Sequence, residues 1–229
     1  MVENKIGLPI EGDFASLVWY GCRKYYGCGG YIKCLLNRYH ITDKTIVSIG
    51  SGMGSEEIIM TQLQNHVDCI EPDALSREVC IFLRDKWQAK GIQLFDSTVA
   101  TYEVEQQYHL IYTSSPSDWA HTEDVIIPEE YLNFFKRYSR ENGRIICVLY
   151  GGCHAAQRLR DRIFYKQVID CLSAIGFCTR EIWVDYDWLS MTFVAEKQKQ
   201  TIDVDYDLSI VPNQFGNLRL FYEDGNVKF

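Results

Sequence analysis

The sequence predicts an α/β protein: a doubly wound, mostly parallel sheet of seven strands whose last strand runs antiparallel, preceded by a helical addition and followed by a β-hairpin. Three observations predict it. Short apolar runs alternate with amphipathic stretches from Lys44 onward, and the turn Gly50-Ser51-Gly52-Met53-Gly54 joins the first run to the first of those helices. The last two strand-like runs are separated by only four residues, Asp185-Tyr186-Asp187-Trp188, too few for a crossover, so they must pair antiparallel.

Residues 13–39 place Phe14, Leu17, Val18, Ile32, Leu35 and Leu36 at helical spacing. The cluster Gly27-Cys28-Gly29-Gly30 disfavours helix by its backbone entropy, which predicts two helices broken there. The alternating region then reads as strand 44–49, helix 55–64, strand 67–71, helix 74–89, strands 92–95 and 108–113, helix 128–140, strand 144–150 and helix 155–175, closed by strands 177–184 and 189–195. After the polar stretch 196–200, the Asp224-Gly225 turn between Leu218–Tyr222 and Val227–Phe229 signals a hairpin. The expected organisation is therefore a helical cap over 1–43, an α/β domain over 44–197 and a hairpin extension over 198–229.

At 229 residues and 47% hydrophobic content the chain can bury a sizeable core, and no apolar run approaches the length that spans a bilayer. Its N-terminus, Met1-Val2-Glu3-Asn4-Lys5, lacks the basic end and apolar run of a secretory signal, so a cytoplasmic protein without membrane attachment is expected. A net charge of −8 argues against nucleic-acid partners held through phosphate neutralisation. Arg158, Arg160, Arg162 and Lys166 form a local basic group that either solvates a helix face or meets an anionic substrate. Nine cysteines, an odd number scattered over strands and helices, do not form a disulfide framework. Cys22, Cys28 and Cys34 lack the close pairing of zinc sites, so no metal is expected.

The glycine turn opens a helix whose first residues are Ser55-Glu56-Glu57. Carboxylates there would repel the pyrophosphate of NAD or FAD, which disfavours those dinucleotides. Glu71 ends the next strand, one helix and one strand beyond the turn, so its carboxylate returns to the same sheet edge. Such a carboxylate can accept two hydroxyls, and Pro72 beside it offers a flat apolar surface to an adenine.

The arrangement from about Lys44 to Lys197 resembles the class I S-adenosylmethionine-dependent methyltransferases, which have a Rossmann-like fold. Val47-Ser48-Ile49-Gly50-Ser51-Gly52-Met53-Gly54 is similar to that family's first motif, and Cys69-Ile70-Glu71-Pro72-Asp73 to its second. Leu94-Phe95-Asp96-Ser97 looks like the third. The resemblance implies S-adenosyl-L-methionine as cofactor. It implies binding by Gly50, Ser51, Gly52 and Gly54, ribose recognition by Glu71, and adenine recognition at Asp96 and Ser97. It also implies that the last strand lies between the fifth and sixth.

The fourth strand ends at Ser114, where the family's loop flanks the methyl group, so Ser114 is placed at the cofactor. Enzymes of the family that methylate base amino groups carry two prolines and an aromatic in that loop. Here Ser115 and Ser117 surround a single Pro116, which argues against a base as acceptor. Ribose 2′-O-methyltransferases place an aspartate at the strand end, where this chain has Thr113 or Ser114. A small molecule or a protein side chain is the expected methyl acceptor. Asp118, His121 and His154 are the candidate bases, each weighed against a loop or capping role. Trp119, Tyr20, Tyr25 and Tyr26 either cover the acceptor or pack in the core. Two other readings keep the fold: transfer of the aminocarboxypropyl arm, as in the nicotianamine synthases, and binding without turnover.

Overall fold

The computed structural model describes residues 12–114, 127–150, 162–185, 190–198, 220–221 and 227–228. Seven strands form one sheet, mostly parallel, in the order third, second, first, fourth, fifth, seventh and sixth along the chain, with the seventh antiparallel between the fifth and the sixth. The chain divides into two compact units after Tyr102.

In the first unit, helix α1 (Gly12–Arg38) leads to β1 (Thr45–Ile49), α2 (Ser55–Thr61), β2 (His66–Ile70), α3 (Ala74–Lys86) and β3 (Ile92–Phe95). β1 and β2 pair in parallel, Thr45 opposite His66 through Ile49 opposite Ile70, and β2 pairs with β3 in the same sense. Ile46, Val47 and Ile49 of β1 and Val67, Cys69 and Ile70 of β2 are all buried, the near-continuous apolar pattern of strands covered on both faces. Asn65 fixes the start of β2. Its amide donates to the carbonyls of Ile41 and Met60 at 3.1 Å each and accepts the Lys44 N–H at 2.9 Å.

The break expected at Gly27–Gly30 does not occur; α1 is one continuous helix. Local propensity loses to packing. Val18, Cys22, Ile32, Leu35 and Leu36 are buried on one side of α1, and those apolar groups outweigh roughly 1 kcal/mol per glycine. Gly21 shows how close the approach is: a Cβ there would lie 2.7 Å from Leu83 Cδ1 of α3 and 3.3 Å from the Ser55 hydroxyl of α2. That hydroxyl donates to the Gly21 carbonyl at 2.8 Å. Further along, Tyr25 stacks on Trp87 with centroids 4.2 Å apart and planes 15° from parallel, and its hydroxyl accepts from the Gln62 amide at 2.6 Å.

The second unit contains β4 (Tyr108–Ser114), α4 (Glu129–Tyr138), β5 (Ser139–Tyr150), α5 (Arg162–Ala174), β6 (Phe177–Asp185) and β7 (Ser190–Lys197). β4 runs parallel to β5, and β7 pairs antiparallel with both β5 and β6. β5 begins at Ser139, five residues ahead of the expected Arg144, because α4 passes straight into extended backbone at Ser139. Leu220–Phe221 (β8) and Val227–Lys228 (β9) form the antiparallel pair expected near the C-terminus. Among the described residues, no helix is long and apolar enough to cross a membrane.

Candidate cofactor site at the glycine turn

The turn after β1 is anchored to β2: Gly50 and Ser51 donate to the Ile70 carbonyl at 2.9 and 3.3 Å. Gly50, Gly52 and Gly54 all have left-handed backbone, with φ of 66°, 54° and 72°. Two of these positions differ in what surrounds them. A Cβ on Gly52 would meet no described atom within 4 Å and would project into open space over the turn, whereas one on Gly54 would overlap the Cys80 sulfur. Gly52 thus leaves room for a ligand, and Gly54 lets α2 settle against α3.

Glu71 lies at the carboxyl end of β2, its own N–H bonded to the Phe95 carbonyl at 3.1 Å. Its side chain is fixed by two backbone donors: Oε2 accepts the Gly52 N–H at 2.7 Å and Oε1 accepts the Asp73 N–H at 2.9 Å. Each carboxylate oxygen keeps a lone pair, so two neighbouring hydroxyls can still be accepted. Pro72 follows it at the surface. Asp73 caps α3 by accepting the Ser76 N–H at 2.7 Å, and that bond holds its carboxyl below the usual range.

Arg77 is a member of this site that sequence reasoning missed. Its Nη1 donates to the Glu71 carbonyl at 2.8 Å and pairs with Asp96 Oδ1 at 2.9 Å, tying the ends of β2 and β3 together. Asp96 is exposed and Ser97 half-buried beside it. The only signal in the sequence was an arginine near the start of a helix, where the dipole favours acids.

Glu56 and Glu57 do not face the ligand side of the turn as exposed charges; both are buried. Glu56 pairs with Lys24 of α1 at 3.4 Å. Glu57 accepts the Ser48 hydroxyl on Oε1 at 2.6 Å, while its Oε2 is buried without a hydrogen-bond partner among the described residues. Burial first, and the Glu56 charge second, push the Glu57 carboxyl up to about 7, against the opposing pull of Ser48 and Lys24. Burial also raises the thiols of Cys69 and Cys80, the latter to about 12, so both remain protonated and neither is a nucleophile. The Ser51 hydroxyl is buried beside the Cys69 thiol and has no hydrogen-bond partner among the described residues.

In the second unit, the Thr113 and Ser114 hydroxyls at the end of β4 are buried without a hydrogen-bond partner among the described residues. Asp118, Trp119, His121 and His154 lie outside the described residues. Tyr25 is a packing residue against Trp87, while Tyr20 and Tyr26 are exposed. Lys166, from the basic group, is taken by Asp170 at 2.6 Å.

A left-handed glycine turn with open space at Gly52, facing a carboxylate with two lone pairs to spare, fits an adenosine-bearing cofactor; Glu56 and Glu57, buried and drawn away from the ligand side, do not supply the repulsion expected to exclude a pyrophosphate. The sheet order with β7 inserted between β5 and β6 is the fold of the class I S-adenosylmethionine-dependent methyltransferases. Three solved structures illustrate the likeness. An S-adenosylmethionine-dependent methyltransferase from Aquifex aeolicus superposes with a TM-score of 0.60 at 10% identity, covering 81% of this chain and 99% of its own. A candidate S-adenosylmethionine-dependent methyltransferase from Methanococcus maripaludis gives 0.57 at 16% identity, covering 85% and 99%. A candidate sarcosine dimethylglycine methyltransferase from Galdieria sulphuraria gives 0.58 at 10% identity, covering 74% and 85%. No protein-family model matches the sequence, and no curated protein is detectably similar to it by sequence.

Proposed function

We propose that the chain is an S-adenosylmethionine-dependent methyltransferase that transfers the methyl group in line to a small molecule or a protein side chain. The observation that carries this reading is Glu71, fixed by the Gly52 and Asp73 N–H groups at the rim of the turn and still able to accept both ribose hydroxyls. The cofactor, when bound, supplies an electrophilic methyl group on a sulfonium. The chain's own residues bind and orient it. The turn Gly50-Ser51-Gly52-Met53-Gly54 leaves the space, Pro72 offers an apolar face to the base, and Asp96 with Ser97 reads its amino group. Arg77 keeps the Asp96 carboxylate in place for that contact. Ser114, with its unsatisfied hydroxyl at the end of β4, is assigned to the cofactor as well. Such a displacement is helped mainly by proximity and orientation, and a base serves only where the acceptor starts protonated. Asp118, His121 and His154 are assigned to that role.

Calorimetric titration with S-adenosylhomocysteine tests the donor half. Binding is expected, and Glu71→Ala should weaken it by about 1.5–3 kcal/mol, roughly 10- to 150-fold. Unchanged affinity in that variant would refute the ribose contact. Turnover should yield S-adenosylhomocysteine. Methylthioadenosine in its place would instead establish transfer of the aminocarboxypropyl arm, and binding without either product would mark a non-catalytic protein.

A further inference from the structure

Flanking the glycine turn, on the first turn of α2, is a buried group that the cofactor contacts above leave unused. Glu57 is 1% exposed; one of its oxygens holds the Ser48 hydroxyl at 2.6 Å and the other is buried with no partner among the described residues. The titratable groups facing it are Glu56 beside it on α2, Lys24 on α1, Cys69 on β2 and Cys80 on α3. Strand β3 brings none, and β1 brings only the uncharged Ser48. Lys24 pairs with Glu56 at 3.4 Å and also favours the ionised form of Glu57, while both thiols are neutral. The Cys80 sulfur also abuts Gly54, Glu57 follows Gly54 by three residues and Ser48 precedes Gly50 by two, so the Ser48–Glu57 hydrogen bond joins the two flanks of the turn.

A buried carboxyl in this position has two ways to be satisfied: hold a proton, or face a second cation. We propose that Glu57 is the buried counter-charge for a cation seated on the glycine turn, carrying a proton while the turn is empty and releasing it to solvent as the cation binds. This rests on the cofactor reading above, because S-adenosylmethionine brings a permanent sulfonium and an ammonium to that turn. Only an O–H bond of Glu57 breaks, and its proton leaves to water. The empty-state proton is held weakly enough for this exchange, since the carboxyl titrates near neutrality. Methyl transfer removes the sulfonium charge, so ionised Glu57 favours the charged donor over the neutral thioether product. Glu57 therefore sets the donor-to-product preference of the site without touching the reacting atoms.

The test is calorimetric titration of the whole chain with S-adenosylmethionine and with S-adenosylhomocysteine between about pH 5.5 and 8, in phosphate and in Tris, whose protonation heats differ. The readout is wild type minus Glu57→Gln, which cancels the ligand's own amino titration. Wild-type affinity for S-adenosylmethionine should rise by up to about tenfold per pH unit as pH climbs toward 7 and level off above it, with a buffer-dependent heat of proton release. Glu57→Gln should lose both, and should lose part of the preference for S-adenosylmethionine over S-adenosylhomocysteine above pH 7. Ser48→Ala, which removes the hydroxyl that favours the ionised form, should move the midpoint upward with the fold intact. Binding with the same pH profile and heats in wild type and Glu57→Gln would overturn the inference and leave the cofactor reading standing. If Glu57→Gln does not fold, an unmoved midpoint in Ser48→Ala overturns it. Absence of binding by either nucleoside would overturn both.

Discussion

Gly54 carries two constraints at one residue: a backbone φ of 72° and a Cβ position already filled by the Cys80 sulfur. Gly54→Ala should cost roughly 2–4 kcal/mol in chemical denaturation, the sum of left-handed strain and overpacking. Adding Cys80→Ala should recover only the overpacking part; full recovery would mean the backbone strain is negligible. Glu57 makes a second prediction at this scale, independent of any ligand. The unfolded carboxyl ionises near 4.5 while the folded one keeps its proton to about 7, so between those values the folded state binds more protons. Stability should therefore fall as pH rises through that window and flatten above it, and Glu57→Gln should lack that slope in thermal melts. The glycine turn at Gly50–Gly54 and the strand-end position of Glu71 were legible because turn chemistry and strand ends are local properties. Arg77 was not, since its bond to Asp96 joins two separate elements, and the burial of Glu56 and Glu57 follows from α1, whose packing no local pattern encodes.

Helix α1 tests how far packing governs an element. Gly21 and Gly27 both lie inside it, yet a Cβ at Gly21 meets Leu83 and Ser55, while one at Gly27 meets no described atom within 4 Å. The two glycines should respond with opposite signs. Gly21→Val is expected to lower stability by about 1–3 kcal/mol, by forcing α1 away from α2 and α3. Gly27→Ala should raise it by about 0.5–1 kcal/mol, through better helix propensity. Thermal melts distinguish the two, and a destabilising Gly27→Ala would reveal a neighbour covering that face. Propensity predicted a break here because glycine content is visible in sequence and the buried stripe from Val18 to Leu36 has its effect only against α2 and α3. The closing strands were legible for the opposite reason. A four-residue connection leaves antiparallel pairing as the sole geometry, and the strands pair so, from Asp185 opposite Ser190 to Phe177 opposite Lys197 with a register shift between Thr179 and Glu181.

At the scale of the whole molecule, alternating apolar runs specified seven strands, and the family resemblance placed the last of them between the fifth and the sixth, where it lies. The acceptor half was not legible, because Ser114–His121 departs from the motifs that mark base and ribose methylation. The charge balance bears on it instead. With a net charge of −8 the chain should not retard duplex RNA or DNA at physiological salt in a mobility-shift assay. A salt-sensitive shift would move the acceptor into the nucleic-acid class. The stack of Tyr25 on Trp87 has an optical consequence. An indole held 15° from parallel beneath a phenol, 4.2 Å away, is an intrinsic reporter of whether the N-terminal helix is seated. The tryptophan emission and near-ultraviolet dichroism lost in Trp87→Phe would isolate its signal from the other four tryptophans. Unseating of α1 could then be followed by light alone, without any label.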